Sequence, residues 1–151
     1  LSAAIRMNWT YSPTLSLQLY AQPLISAGRY EYFQELARPR SADFTRYGRD
    51  GGSWIDYVDS TNSYTVDPDG PAGPVQPFSF GKPAFNFKSL RGNAVLRWEY
   101  MPGSTLYFVW TQSREDSETI GNFNLASSMG RMLRSPADNI FMIKATYWWN
   151  P

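Results

Sequence analysis

Glu115, Asp116 and Glu118 are the residues of this chain whose type and closeness most resemble a hydrolytic set. A carboxylate pair hydrolyses a glycoside when one member is held as acid and the other as base or nucleophile across a cleft. The run around them is polar and Ser-punctuated, which reads as a solvated loop tip, so no catalytic residue is assigned; whether the chain is an enzyme stays open, with a non-enzyme favoured over a loop-borne glycosidase. Asp67-Pro68-Asp69-Gly70, with Asp56 and Asp59 nearby, offers oxygens of the kind Ca²⁺ prefers. It lacks the spacing of a calcium loop, so Asp67 and Asp69 are a weak metal candidate and first of all a turn. Gly48-Arg49-Asp50-Gly51-Gly52 is glycine-rich without the Lys-Ser/Thr that a phosphate loop requires. The chain has no Cys and no His, which excludes disulfides, thiolate metal sites and catalysis by thiol or imidazole. No residue set calls for a cofactor. A net charge of +1 supplies no field for nucleic acid.

Two further sets have chemistry of a binding kind. Trp54, Tyr57 and Tyr64 lie in a long Gly- and Pro-punctuated segment, where rings can stack on a sugar. Arg6, Asn8, Gln18, Arg97, Glu99, Tyr107 and Lys144 alternate with large apolar residues. Strand side chains change face at every residue, so these seven share the polar side of strands whose other side is greasy.

The elements that position them are hairpins. Leu96, Trp98 and Tyr100 lead into Met101-Pro102-Gly103-Ser104, and Leu106, Phe108 and Trp110 lead out. Pro presets one turn dihedral and Gly tolerates the others. Ile5, Met7, Trp9 and Tyr11, the turn Ser12-Pro13-Thr14, and Leu15, Leu17, Leu19 and Ala21 repeat the design. A last strand over 139–149 puts Phe141, Ile143, Ala145, Tyr147 and Trp149 on one face. Five long strands result, at about 3–11, 15–22, 84–100, 105–112 and 139–149, with long loops 24–83 and 113–138. Short strands at 54–58 and 62–66 and a helical turn at 31–37 are expected inside the first loop. A bulge near Arg91-Gly92 is expected to bring Phe85 and Phe87 into phase with Leu96 and Trp98.

If antiparallel strands alternate direction, both short turns fall at one end and both long loops at the other. Outer-membrane barrels have that asymmetry. Trp9, Tyr11, Trp98, Tyr100, Tyr147 and Trp149 all fall on the greasy face at the short-turn end, as in a membrane-interface girdle. The high aromatic content, 17% with six Trp and ten Tyr, suits such a girdle. The fold expected is therefore all-β: an antiparallel up-and-down meander of outer-membrane-barrel type, with a soluble β-sandwich as the alternative. Five strands cannot close, since ~8 is the smallest usual membrane barrel. The chain is thus expected to be one β domain, residues 1–151, forming the C-terminal part of a longer barrel, with Leu1 a processing or fragment boundary.

The segments Leu17-Gln18-Leu19-Tyr20-Ala21-Gln22-Pro23, Gly28-Arg29-Tyr30 and Glu35-Leu36-Ala37-Arg38-Pro39-Arg40 carry a resemblance. So do Asn93-Ala94-Val95-Leu96-Arg97-Trp98-Glu99-Tyr100, Pro102-Gly103-Ser104, Trp110-Thr111-Gln112 and Asn139-Ile140-Phe141-Met142-Ile143-Lys144. Together they resemble the C-terminal region of a largely uncharacterised family of exported bacterial proteins. Those proteins carry an N-terminal sandwich similar to a family-nine carbohydrate-binding module, then a β-barrel region of unknown function. The resemblance covers most of the chain outside its loops. It implies a barrel and export, brings no catalytic motif, and implies a saccharide only by association, because the sugar-module half is not in this sequence.

The function expected is passage or reception of a polar solute, with a saccharide as the candidate, through an outer-membrane barrel of a Gram-negative bacterium. Its partners would be outer-membrane lipid and upstream strands or other chains completing the sheet. The alternative is a soluble periplasmic or secreted carbohydrate-binding sandwich that uses the loop aromatics.

Overall fold

The computed structural model describes residues 1–149. The chain runs β1 (Ile5–Ser12), β2 (Leu15–Gly28), β3 (Gln34–Leu36), β4 (Phe44–Arg46), β5 (Trp54–Val58), a 3-10 turn (Asp59–Thr61), β6 (Ser63–Asp67), β7 (Phe78–Gly81), β8 (Phe85–Met101), β9 (Ser104–Glu118), α1 (Leu125–Arg134) and β10 (Ala137–Thr146). The fold is all-β and mostly antiparallel. The five long strands form one open sheet in the order β1-β2-β8-β9-β10.

Two compact units are formed. The first holds the five-stranded sheet and α1. The second spans residues 28–84 with 119–121, and contains the hairpin β3-β4 and the three-stranded sheet β5-β6-β7.

Period-two alternation is realised across the large sheet. Met7 faces Leu19 and Trp9 faces Leu17. Leu96 faces Phe108, which faces Ile143; Trp98 faces Leu106, which faces Ala145. Between these rungs lie Asn8 with Gln18, and Arg97 with Tyr107 and Lys144. Each strand thus presents one apolar and one mixed face, and the faces coincide from strand to strand. Both short turns behave as expected, and Gly103 takes the positive φ, +75°, that the second one needs.

Four expectations are corrected. No bulge forms at Arg91-Gly92: β8 and β9 pair without a break from Asn86–Glu118 to Glu99–Thr105, and the register shifts only at the turn. The pleat therefore runs on, placing Phe87 on the mixed face and Lys88 on the apolar one. The segment 31–37 makes β3 rather than a helical turn, because Gln34, Glu35 and Leu36 find partners in β4. The segment 113–138 is not a loop throughout; β9 continues to Glu118 and α1 follows. β10 starts at Ala137 and stops at Thr146, so Tyr147 and Trp149 lie beyond the strand. There the Trp148 backbone N–H donates to the Ser104 hydroxyl at 2.9 Å instead of continuing the ladder.

Large apolar side chains stay uncovered on the main sheet. The buried hydrophobic residues are Ile25, Val66, Ala84 and Met132. None of the four lies on the lower half of the apolar face, where Trp9, Trp98, Phe108 and Ile143 are exposed.

Candidate functional site

The mixed face brings together all seven polar residues expected there, in two clusters. In the first, β1 and β2 set Arg6 opposite Tyr20 and Asn8 opposite Gln18. The Arg6 guanidinium stands 5.5 Å from the Tyr20 ring centroid, a cation–π distance, and the Tyr20 hydroxyl donates to Gln22 at 2.9 Å. Arg6, Asn8, Gln18 and Tyr20, with Asn93 of β8, line a concavity of about 370 Å³. In the second cluster, Arg97 donates to Glu99 at 3.0 Å, and the other Glu99 oxygen accepts the Gly103 N–H at 3.3 Å. The Lys144 ammonium stands 6.0 Å from the Tyr107 ring. Every one of these groups has a polar or aromatic neighbour, yet remains reachable by water. Solvent screens a pair of this exposure, so its effect is mainly orientation.

The apolar face has two polar margins. At the short-turn end, Trp9 stacks on Tyr11 at 5.5 Å and Trp98 meets Tyr100 edge-on at 6.1 Å. The Glu99 N–H donates to the Thr14 carbonyl at 2.8 Å, which sets the last rung of β8 level with the first turn. Tyr11, Trp98 and Ala145 therefore share a height within about one residue; Trp9 lies one rung above and Tyr100 one below. Trp149 is outside the strand and highly exposed. At the other end, the Trp110 indole N–H donates to Asn139 at 3.0 Å, and Gln112 donates to the same oxygen at 2.9 Å. Beyond this the apolar face becomes charged.

That charge cluster was missed in the sequence. Lys88 is fully buried on the apolar side of β8, and its ammonium meets Glu118 and, at 3.0 Å, Asp116 of β9. Arg131 of α1 reaches the same carboxylates, at 3.1 Å from Asp116 and 3.2 Å from Glu118. A lysine is tolerated in such a place only when paired. Arg131 first, then Lys88, donate to Asp116 and hold its carboxyl below the usual range. The Asp116 carboxylate in turn raises the Arg131 guanidinium. Asp116 and Glu118 are thus both engaged by the two cations, while Glu115, on the opposite face, leans toward Arg91 at 3.8 Å. The three carboxylates therefore do not face one another across a cleft, which is the arrangement glycoside hydrolysis requires.

The helix seated on this cluster is well capped. The Asn124 side chain accepts the Ser127 N–H at 3.0 Å. At the far end Arg114 donates to the Leu133 and Ser135 carbonyls at 2.7 and 2.9 Å, where a cation suits the helix terminus. Met132 and Ser128 are the buried side of α1; Leu125 and Leu133 are exposed.

In the second unit, Trp54, Tyr57 and Tyr64 do not form one platform. The Trp54 indole N–H donates to Asp67 at 3.2 Å. Tyr57 and Tyr64 lie 5.0 Å apart and join Phe33 and Phe80 in a small aromatic core. Asp67 is buried and also accepts the Gly70 N–H at 2.8 Å; Asp69 accepts the Val75 N–H at 3.2 Å. These two carboxylates tie down the turn, and no group of acidic side chains suited to a metal occurs among the described residues. Tyr47 donates to Glu35 at 2.9 Å. Its burial, with that bond and the Glu35 charge, pushes the phenol up to about 12.

A family model described as a domain of unknown function (DUF5916) matches residues 52–150, well over half of the chain. No curated protein and no solved structure matches it. The family match accords with an uncharacterised family; a carbohydrate-binding module and export lie outside what it describes.

Proposed function

The chain belongs to the DUF5916 family, whose function is unassigned, and from that footing we propose that its five-stranded sheet is a segment of an outer-membrane β-barrel in a Gram-negative bacterium. The barrel would pass or receive a polar solute, with a saccharide as the candidate. One observation carries the reading: the apolar face is uncovered and has the height of a bilayer core. From Tyr100 to Leu90 is about 34 Å of strand. At the ~40° tilt of barrel strands this is about 26 Å along the normal, against the ~25 Å apolar band of outer-membrane proteins. Aromatic residues bound it below, the Trp110–Asn139–Gln112 contacts mark its upper part, and Lys88 ends it. Exposed Trp9, Trp98, Phe108, Phe141 and Ile143 would sit in acyl chains.

On this reading the mixed face is the lumen, and Arg6, Asn8, Gln18, Arg97, Glu99, Tyr107 and Lys144 line the path. Side chains that carry both signs and hydrogen-bond in both senses suit a hydroxyl-rich, uncharged or weakly charged solute better than a bare ion. The short turns would face the periplasm and the long segments the outside. In hydrocarbon the free edges of β1 and β10 must be paired, at several kcal/mol per unpaired backbone group, so further strands or other chains complete the wall.

The soluble alternative binds carbohydrate through Trp54, Tyr57 and Tyr64. It needs those rings free and a second layer over the apolar face. Packing of Tyr57 on Tyr64 weighs against the first requirement, and the exposure of Trp98 and Phe108 against the second.

Phase separation in a clouding detergent tests the proposal. The full chain is expected in the detergent-rich phase. Recovery of a dispersed monomer from the aqueous phase would overturn the membrane reading.

A further inference from the structure

The sheet leaves one glycine-rich motif unexplained: the run from Arg46 to Gly52 in the second unit. The Arg49 and Asp50 N–H groups both turn back on the Arg46 carbonyl, at 3.2 and 3.0 Å. Residues 46–49 therefore form a tight turn, and Gly48, at its third position, takes φ +75°. A side chain there would be strained, and its Cβ would stand 3.1 Å from Ile55. The buried Ser53 hydroxyl accepts the Gly48 N–H at 3.2 Å and donates to the Asp50 carbonyl at 2.6 Å, which pins the turn. The consequence is that Arg46 and Arg49 stand at the two ends of one rigid turn, within the ~7 Å Cα separation that defines it.

Both arginines line a cleft of about 250 Å³, with Tyr32, Tyr47, Tyr64 and Glu31. Among the described residues neither guanidinium has a carboxylate partner, whereas the acids around them are occupied. Glu31 pairs with Arg29 at 3.3 Å, Glu35 accepts from Tyr47, and Asp50 accepts the Arg46 N–H at 3.0 Å. The Arg46 guanidinium lies 5.8 Å from the Tyr32 ring, and that ring is largely exposed. Behind the cleft, Phe33 contacts Tyr64 at 4.8 Å and Phe80 at 4.9 Å, a stiff aromatic base.

We infer that this cleft binds a sugar unit carrying an oxyanion, either a carboxylate or a phosphate ester. Two arginines on one turn, both lining the same cleft and neither paired with a carboxylate, offer the forked donors that such an oxyanion accepts from. The Tyr32 ring offers a flat apolar surface to the C–H face of a pyranose. The volume lies below the ~300–1,000 Å³ of sites for drug-sized molecules, so one ring is the natural occupant. The inference deepens the proposed reception of a saccharide and rests on that reading for its biological setting. It makes the second unit the place where charge on the solute is read.

Calorimetric titration of the detergent-solubilised full chain with galacturonate, galactose 6-phosphate and galactose tests it. At least one of the two acids is expected to bind tenfold or more tightly than galactose, and the better of them identifies the oxyanion. Arg46→Gln and Arg49→Gln should each lower that affinity by tenfold or more. Gly48→Ala, which moves the turn without removing a charge, should lower it too. Far-ultraviolet dichroism matching that of the parent chain establishes that each variant is folded. Equal affinity for all three sugars, no binding by any of them, or folded arginine variants that bind unchanged would overturn the inference. Those failures leave the membrane reading standing if the protein still partitions into detergent; a protein that stays in water overturns that reading whatever it binds.

Discussion

Lys88 is the residue from which the upper part of the sheet is best understood. Its position on the apolar face follows from strand parity, and its burial follows from Asp116 directly across on β9, Glu118 on the diagonal and the arginine that reaches both. Removing one member of a fully buried ion pair costs 3–5 kcal/mol. Here Asp116 and Glu118 keep Arg131 and some water, so Lys88→Met should cost about 2 kcal/mol in urea unfolding from micelles. Adding Asp116→Asn and Glu118→Gln to the same chain should recover most of it. A single variant within ~0.5 kcal/mol of the parent would mean that the cluster contributes little. The partners were readable in principle. Once Leu96 is set opposite Phe108, the same register sets Lys88 opposite Asp116. The out-of-phase Phe85 and Phe87 invited a bulge, which would have hidden this pairing.

At the scale of the element, α1 is held by titratable contacts as much as by Met132. Asp116 has a pKa lowered from 3.8 by its donors, so its contribution is complete above that value and is lost as pH falls through the lowered one. Carboxyl chemical shifts should put the Asp116 midpoint below 3.8. The helical backbone shifts of Leu125–Arg134 should persist to that midpoint and fade beneath it; a midpoint at or above the ordinary value would contradict the pairing. The helix itself had a signal in the sequence. Leu125, Met129, Met132 and Leu133 follow the i, i+4, i+7, i+8 spacing behind a capping Asn124. Ser127, Ser128 and Gly130 read as loop punctuation and outweighed it. The long strands were legible because a two-residue period survives any tertiary context that keeps one face apolar. The short hairpin β3-β4 was not, since three-residue strands leave no period to count.

For the molecule as a whole, the question is what solvent the apolar face meets. In water, Trp9, Trp98, Phe108, Phe141 and Ile143 would each forgo ~25 cal/mol for every Å² left wet, and the few buried hydrophobic residues could not offset it. In hydrocarbon the same side chains are at home, and the cost moves to the backbone edges, which other strands relieve. The seven polar residues of the mixed face were assigned from parity alone. Their division into an Arg6 cluster and an Arg97 cluster needed the strand order, since nothing in the spacing tells which strand lies beside which. Depth-dependent quenching of tryptophan fluorescence by lipids brominated along the acyl chain, on liposome-bound chains retaining one Trp and carrying Phe at the others, addresses the solvent of that face directly. Strong quenching of Trp9, Trp98 and Trp110 with none of Trp54 is the result expected. Quenching of the first three by aqueous iodide, with no response to brominated lipid, would contradict it.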